Sequence, residues 1–102
     1  DEKQDFYLEF LLQSRNMYIK GKLTDISMGG VAANFKEDEA DLLVPDTVFT
    51  NAKLALEPKT IQADLKFVKR GGGLAAFAFH KMRETFKGSL AEFIHRHSLN
   101  ID

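Results

Sequence analysis

The chain has 102 residues, of which 44% are hydrophobic and 28% charged, and it carries a net charge of −1. That length supports one domain with a real core rather than two, and its near-neutrality offers nothing global to attract a nucleic-acid backbone or an anionic membrane. Cysteine is absent, which excludes disulfides and thiolate metal sites and suits a reducing, cytoplasmic setting. No apolar run approaches the roughly 18 residues of a membrane span, and no signal-peptide pattern opens the sequence.

Residues Phe6 to Leu12 alternate through Phe6, Leu8, Phe10 and Leu12, which predicts a strand with one buried face. Ser14-Arg15-Asn16 reads as a hairpin turn into a return strand, Met17 to Ile26. There Ile19 and Leu23 face one way while Lys20, Lys22 and Thr24 face the other, and Gly21 between them suggests a bulge or a sharp barrel bend. Val31 to Phe35 gives a third, short strand. The acidic stretch Lys36-Glu37-Asp38-Glu39-Ala40-Asp41 reads as a solvated connection with room for a turn of helix.

Alternation resumes over Val48 to Leu56, turns at Glu57-Pro58-Lys59, and continues through Ile61, Ala63, Leu65 and Phe67. A glycine turn, Gly71 to Gly73, leads to a last strand with Ala75, Phe77 and Phe79 on one side. Turn signals about every ten residues argue for an antiparallel barrel or sandwich. The tail differs: Phe86, Leu90, Phe93, Ile94 and His97 share one helical face, with Thr85 as the expected cap and Gly88 weakening the first turn. Such a helix is suited to closing one open end of a barrel.

The chemistry-bearing residues are few. Ser27 with His80, His95 and His97 lacks the glycine of a nucleophile elbow two residues before the serine, and no spacing pairs one histidine with it. His95 and His97 sit two apart and so diverge on a helix, a poor metal pair. No catalytic and no metal-binding residue is assigned, and the chain reads as a binding domain rather than an enzyme. Lys20, Lys22, Lys69 and Arg70 form local cationic clusters. The phenylalanines, however, fall in step with core positions rather than interleaving with those cations as a single-strand nucleic-acid binder requires.

The stretch Thr24-Asp25-Ile26-Ser27-Met28-Gly29-Gly30-Val31 is the most specific in the sequence. Asp25 and Ser27 lie two apart and point to one side of an extended strand. Gly29 and Gly30 allow positive φ and a close approach of another group to the backbone. A carboxylate, a hydroxyl and bare peptide groups suit the edge of a polar ligand; equally, Asp25 and Ser27 suit a turn held by local hydrogen bonds.

Asp25-Ile26-Ser27-Met28-Gly29-Gly30 resembles the DxSxxG half of the PilZ-domain signature, placed after the second strand. The short third strand, variable loop, long hairpin, Leu74-Ala75-Ala76-Phe77-Ala78-Phe79 and C-terminal amphipathic helix are similar to the same family over nearly the whole chain. The resemblance implies a mainly β, six-stranded antiparallel barrel with a C-terminal helix. Residues 1–102 then form one PilZ-like domain, barrel about 5–80 and helix about 84–98.

The resemblance further implies cyclic di-GMP as ligand, with Asp25 and Ser27 contacting a guanine edge and Gly30 permitting a tight turn and close approach. It implies no cofactor beyond this regulatory ligand, a protein partner or adjoining domain as recipient of the signal, and no nucleic acid or membrane insertion. The family's RxxxR arm precedes the first strand, where this chain reads Asp1-Glu2-Lys3-Gln4-Asp5-Phe6-Tyr7 without an arginine. The nearest register is Lys3 with Tyr7, to which the arm's role is not transferred. Two readings follow: a cyclic di-GMP sensor that relays to a partner, its arm upstream of Asp1 or its binding weakened; or a degenerate PilZ domain serving as an interaction or dimerisation module.

Overall fold

Alternating apolar residues need a cover for one face of the sheet, and in this chain the strands supply it by closing on themselves. The computed structural model describes residues 5–97. Six strands are formed: β1 (Tyr7–Leu12), β2 (Met17–Ile26), β3 (Gly30–Asn34), β4 (Val48–Ala55), β5 (Thr60–Gly71) and β6 (Leu74–Lys81). They pair in the order β1-β2-β3-β6-β5-β4, every pair antiparallel, and β4 returns to β1 to close the barrel. Among the described residues a short 3-10 turn (Gln13–Arg15) joins β1 to β2, and two α-helices complete the barrel, α1 (Glu37–Ala40) and α2 (Glu84–His97).

The interior is aromatic. Phe10 packs its ring against Phe35, Phe49 and Phe77 with centroids 5.8, 4.3 and 5.5 Å away, and Phe67 joins through Phe77 at 5.6 Å. Seven of the nine phenylalanines are buried, so the aromatic inventory forms the core and leaves the outer surface to other residues. The connection from β3 to β4 crosses one end of the barrel and buries its own Ala40 and Leu43. The acids Glu37, Asp38 and Glu39 stand in the first turn of α1, the favourable end of its dipole. At the other end α2 lays Leu90 and Phe93 inward, Phe93 meeting Phe6 edge-on at 4.9 Å.

Three details differ from the sequence reading. Gly21 is no bulge: it pairs in unbroken register with Leu8 and is buried. A Cβ there would lie 2.8 Å from the Phe35 ring and 2.9 Å from the Asn34 carbonyl oxygen, so the glycine makes room for a core phenylalanine. The irregularity in β2 falls between Leu23 and Asp25, where Thr24 is the extra residue opposite β3. Thr85 is not the cap of α2, since the Arg83 carbonyl accepts from the Phe86 and Lys87 N–H groups and the helix begins at Glu84.

A second bulge sits in β4. Thr50 and Asn51 together oppose Asp64 on β5, Asn51 takes a left-handed φ of 56°, and its N–H donates to Asp64 Oδ1 at 2.9 Å. The carboxylate thus takes the place of the ladder carbonyl that the bulge removes.

Two stability outcomes follow for urea unfolding. Gly21→Ala loses about 1–3 kcal/mol, because the added methyl must displace the Phe35 ring or the strand. Asp64→Ala loses about 1 kcal/mol by removing the charged acceptor of the Asn51 N–H. A Gly21→Ala variant as stable as the parent contradicts the packing role.

Candidate functional site

On β2 the inward residues are Ile19, Gly21 and Leu23, all buried, and strict alternation would send Asp25 inward next. Thr24 prevents this. As the extra residue it shifts the parity of the strand, so Ile26 is buried at 2% exposure while Asp25 is half-buried and Ser27 exposed on the outside. Thr24 is itself tied to β3 by its hydroxyl, which donates to the Ala32 carbonyl at 3.3 Å. The outer row of β2 therefore runs Tyr18, Lys20, Lys22, Asp25, Ser27.

The turn that follows is held by its own groups. The Ser27 N–H donates to the Gly30 carbonyl at 2.9 Å, and the Ser27 hydroxyl accepts from the Gly29 N–H at 3.1 Å. The Gly29 carbonyl accepts from Phe79 N–H at 3.0 Å, which fastens the turn to β6. Neither Gly29 nor Gly30 has positive φ, contrary to the sequence reading; among the described glycines only Gly72 does, at 61°. At Gly30 the other half of that reading applies, close approach of a neighbouring group. It pairs with Ala78, and a Cβ on it would overlap the Phe77 carbonyl oxygen.

Beside the turn lies a flat outer surface that the sequence reading missed. The pairing aligns Asp25, Ala32, Ala76 and Lys69 across β2, β3, β6 and β5, and a second row sets Gly30 beside Ala78 and Lys66. Because Val31, Ala33, Ala75 and Phe77 are the buried members of their strands, these alanines face outward. The result is a platform of small side chains about three strand spacings wide, roughly 14 Å, with a carboxylate and a hydroxyl at one edge and two lysines at the other. Among the described residues, Asp25, Lys66 and Lys69 have no ion-pair partner. The visible sequence signal was the small residues Ala76 and Ala78 at the outward positions of β6; placing them beside Asp25 required the β3–β6 pairing.

The other residues weighed from sequence are dispersed. His97 stacks on Phe93 at 4.5 Å, and His80 and His95 are exposed. Among the described residues Ser27 has no hydrogen bond to any of them. Tyr7 receives Lys20 Nζ over its ring at 4.7 Å; Lys3, its partner in the nearest arm register, lies outside the described residues. A cavity of about 610 Å³ lies elsewhere, on the outer face of β1 and β4 between Leu11, Tyr18, Val48 and Lys53. It touches none of Asp25, Ser27 and Gly30. The platform is shallow by construction, since a barrel wall of alanines has no walls of its own, so cavity size does not decide between the two places.

Several solved structures are similar to this barrel over nearly its whole length. The PilZ domain of YcgR from Escherichia coli, solved with c-di-GMP, superimposes with a TM-score of 0.76 at 17% identity, over 93% of this chain and 81% of that one. The fold is that of the PilZ domains. MrkH of K. pneumoniae matches with a TM-score of 0.78 at 19% identity over 95% of this chain, which spans only 45% of MrkH. The PilZ domain of CeSA from a cellulose-synthesizing bacterium matches at 0.67 and 16% identity, over 90% and 91% of the two chains. No family model matches the sequence, and no curated protein matches it. The PilZ likeness thus rests on the shape of the barrel and its closing helix.

The two glycines of the turn separate structural need from open space. Gly30→Ala is expected to cost about 2 kcal/mol or more, since the obstacle is a backbone carbonyl that no rotamer change can clear. Gly29→Ala, whose Cβ would meet only the Ser27 hydroxyl at 3.9 Å, is expected to leave the urea midpoint nearly unchanged. Equal losses in the two variants would refute this assignment.

Proposed function

We propose that this chain is a regulatory PilZ-type domain that binds cyclic di-GMP across the alanine platform and relays its presence to a partner domain or protein, with no catalysis of its own. The observation that carries the reading is the parity shift at Thr24, which turns Asp25 outward beside Ser27 at the platform's edge. In this reading the Asp25 carboxylate accepts from the N1–H and amino group of a guanine. Ser27 still has its hydroxyl hydrogen to donate, because the Gly29 N–H uses only a lone pair of the oxygen. Gly30 acts through the fold: it keeps β3 close to β6 and the platform flat. Lys66 and Lys69 add positive charge on the far edge for a dianionic ligand. That matters in a chain whose described first strand brings no arginine.

A second reading has its own support. Ser27 and Gly30 both serve the turn, one through the Gly29 N–H and the other through contact with the Phe77 carbonyl. DxSxxG therefore has a purpose without any ligand, as in a degenerate PilZ domain used for protein interaction or dimerisation. Asp25 separates the two readings, since it has no hydrogen-bond or ion-pair partner among the described residues and contributes nothing evident to the turn.

Isothermal calorimetry with cyclic di-GMP is the direct measurement. Saturable binding is expected, weakened by Asp25→Ala by about 1.5–3 kcal/mol, the scale of a hydrogen bond to a charged group, with the urea midpoint of the variant unchanged. Absence of heat at high micromolar nucleotide leaves the interaction-module reading standing.

A further inference from the structure

Of the two lysines in the outer row of β2, each is engaged differently. Lys20 lies over the Tyr7 ring, a contact that leaves its charge intact. Lys22 lies 3.3 Å from Asp5 Oδ1, which neutralises it. Lys22 is the charged residue of the row next before Asp25, and the two flank β3 opposite Asn34 and Ala32. The Leu23 N–H donates to the Phe6 carbonyl at 2.8 Å, so the chain enters β1 alongside the Thr24 bulge and brings Asp5 to the edge where Asp25 stands.

We infer that Asp5 is an internal competitor for the anionic part of the ligand. In the free protein its carboxylate occupies Lys22; when the nucleotide lies on the platform, a phosphodiester takes Lys22 and Asp5 is displaced. This inference rests on the cyclic di-GMP reading and concerns the regulation of that same site. The exchange is feasible because the Asp5–Lys22 pair is exposed, with side chains 41% and 56% accessible, and an exposed ion pair is weak and screened by salt. Lys22 is also suited to it, as a compact charge on a pliable stem that can swing from one oxygen anion to another. The arrangement makes the segment at Asp5 responsive to ligand without any arginine in it: its only described side-chain tie is the one that the ligand takes.

The test is calorimetric titration of cyclic di-GMP into four full chains: parent, Asp5→Asn, Lys22→Ala and the double variant. Asp5→Asn is expected to tighten binding about two- to fivefold, the worth of an exposed ion pair. Lys22→Ala is expected to weaken it by a similar factor, and in that background Asp5→Asn changes nothing, since the competition has lost its object. Added salt should shrink the difference between parent and Asp5→Asn. Tightening of the same size with and without Lys22 overturns the inference, because the acid then repels the ligand generally; so does an Asp5→Asn variant that binds no better than the parent. If neither parent nor Asp5→Asn binds the nucleotide, the proposed function falls and this inference with it. Binding that Asp25→Ala weakens but the Asp5 and Lys22 variants leave untouched removes only the inference.

Discussion

A barrel of six strands has an interior wide enough for little more than one cluster of rings, and the rest of this molecule is arranged around filling it. Phe10 at the centre is in contact with rings from β4, β6 and the end of β3 at separations between 4.3 and 5.8 Å. Such packing tolerates neither a void nor an extra methyl. Gly21 is the local price, a strand residue without a side chain because Phe35 already occupies the space. Once the phenylalanines are committed inward, the outer wall inherits whatever remains, and on β3 and β6 that is alanine.

The wall becomes a site through irregularity rather than regularity. A perfectly alternating β2 would bury Asp25 among phenylalanines, at a desolvation cost that no described residue nearby offsets. One extra residue at Thr24 inverts the alternation, places Ile26 in the core and frees the carboxylate. The same device appears at Asn51, where the inserted residue leaves an orphan N–H and Asp64 supplies the acceptor. In both places the bulge changes which side of the wall a polar group occupies and leaves the barrel closed.

Much of this was legible in the sequence. Alternation from Phe6 to Leu12 and from Ile61 to Phe67, and the helical spacing of Leu90 and Phe93, follow directly from burial, so strands and helix could be placed. Bulges could not, since an inserted Thr24 leaves no mark in composition and only pairing with β3 exposes it. Gly21 was visible as a glycine, but its reason is a ring fourteen positions further along the chain. Asp25 and Ser27 stood out through their resemblance to a signature. Lys66, Lys69 and the alanines did not, because their alignment with Asp25 depends on β3 pairing with β6, strands far apart in sequence. Of the two roles the sequence offers for the turn glycines, positive φ is absent and close approach is present at Gly30, where the approaching group is a carbonyl that only the β3–β6 pairing identifies.

The contact of Phe6 with α2 has a mechanical meaning. Phe6 meets Phe93 edge-on at 4.9 Å and His97 at 5.4 Å, while its own carbonyl is held by Leu23 on β2. The residue next to Asp5 is thus a pivot between the first strand and the last turn of the helix. A force that draws the start of β1 toward or away from the Thr24 bulge bears on the far end of α2 through two aromatic faces, with no loop between to absorb it. The start of the first strand and the last turn of α2 therefore share one aromatic contact, so neither can shift without repacking the other.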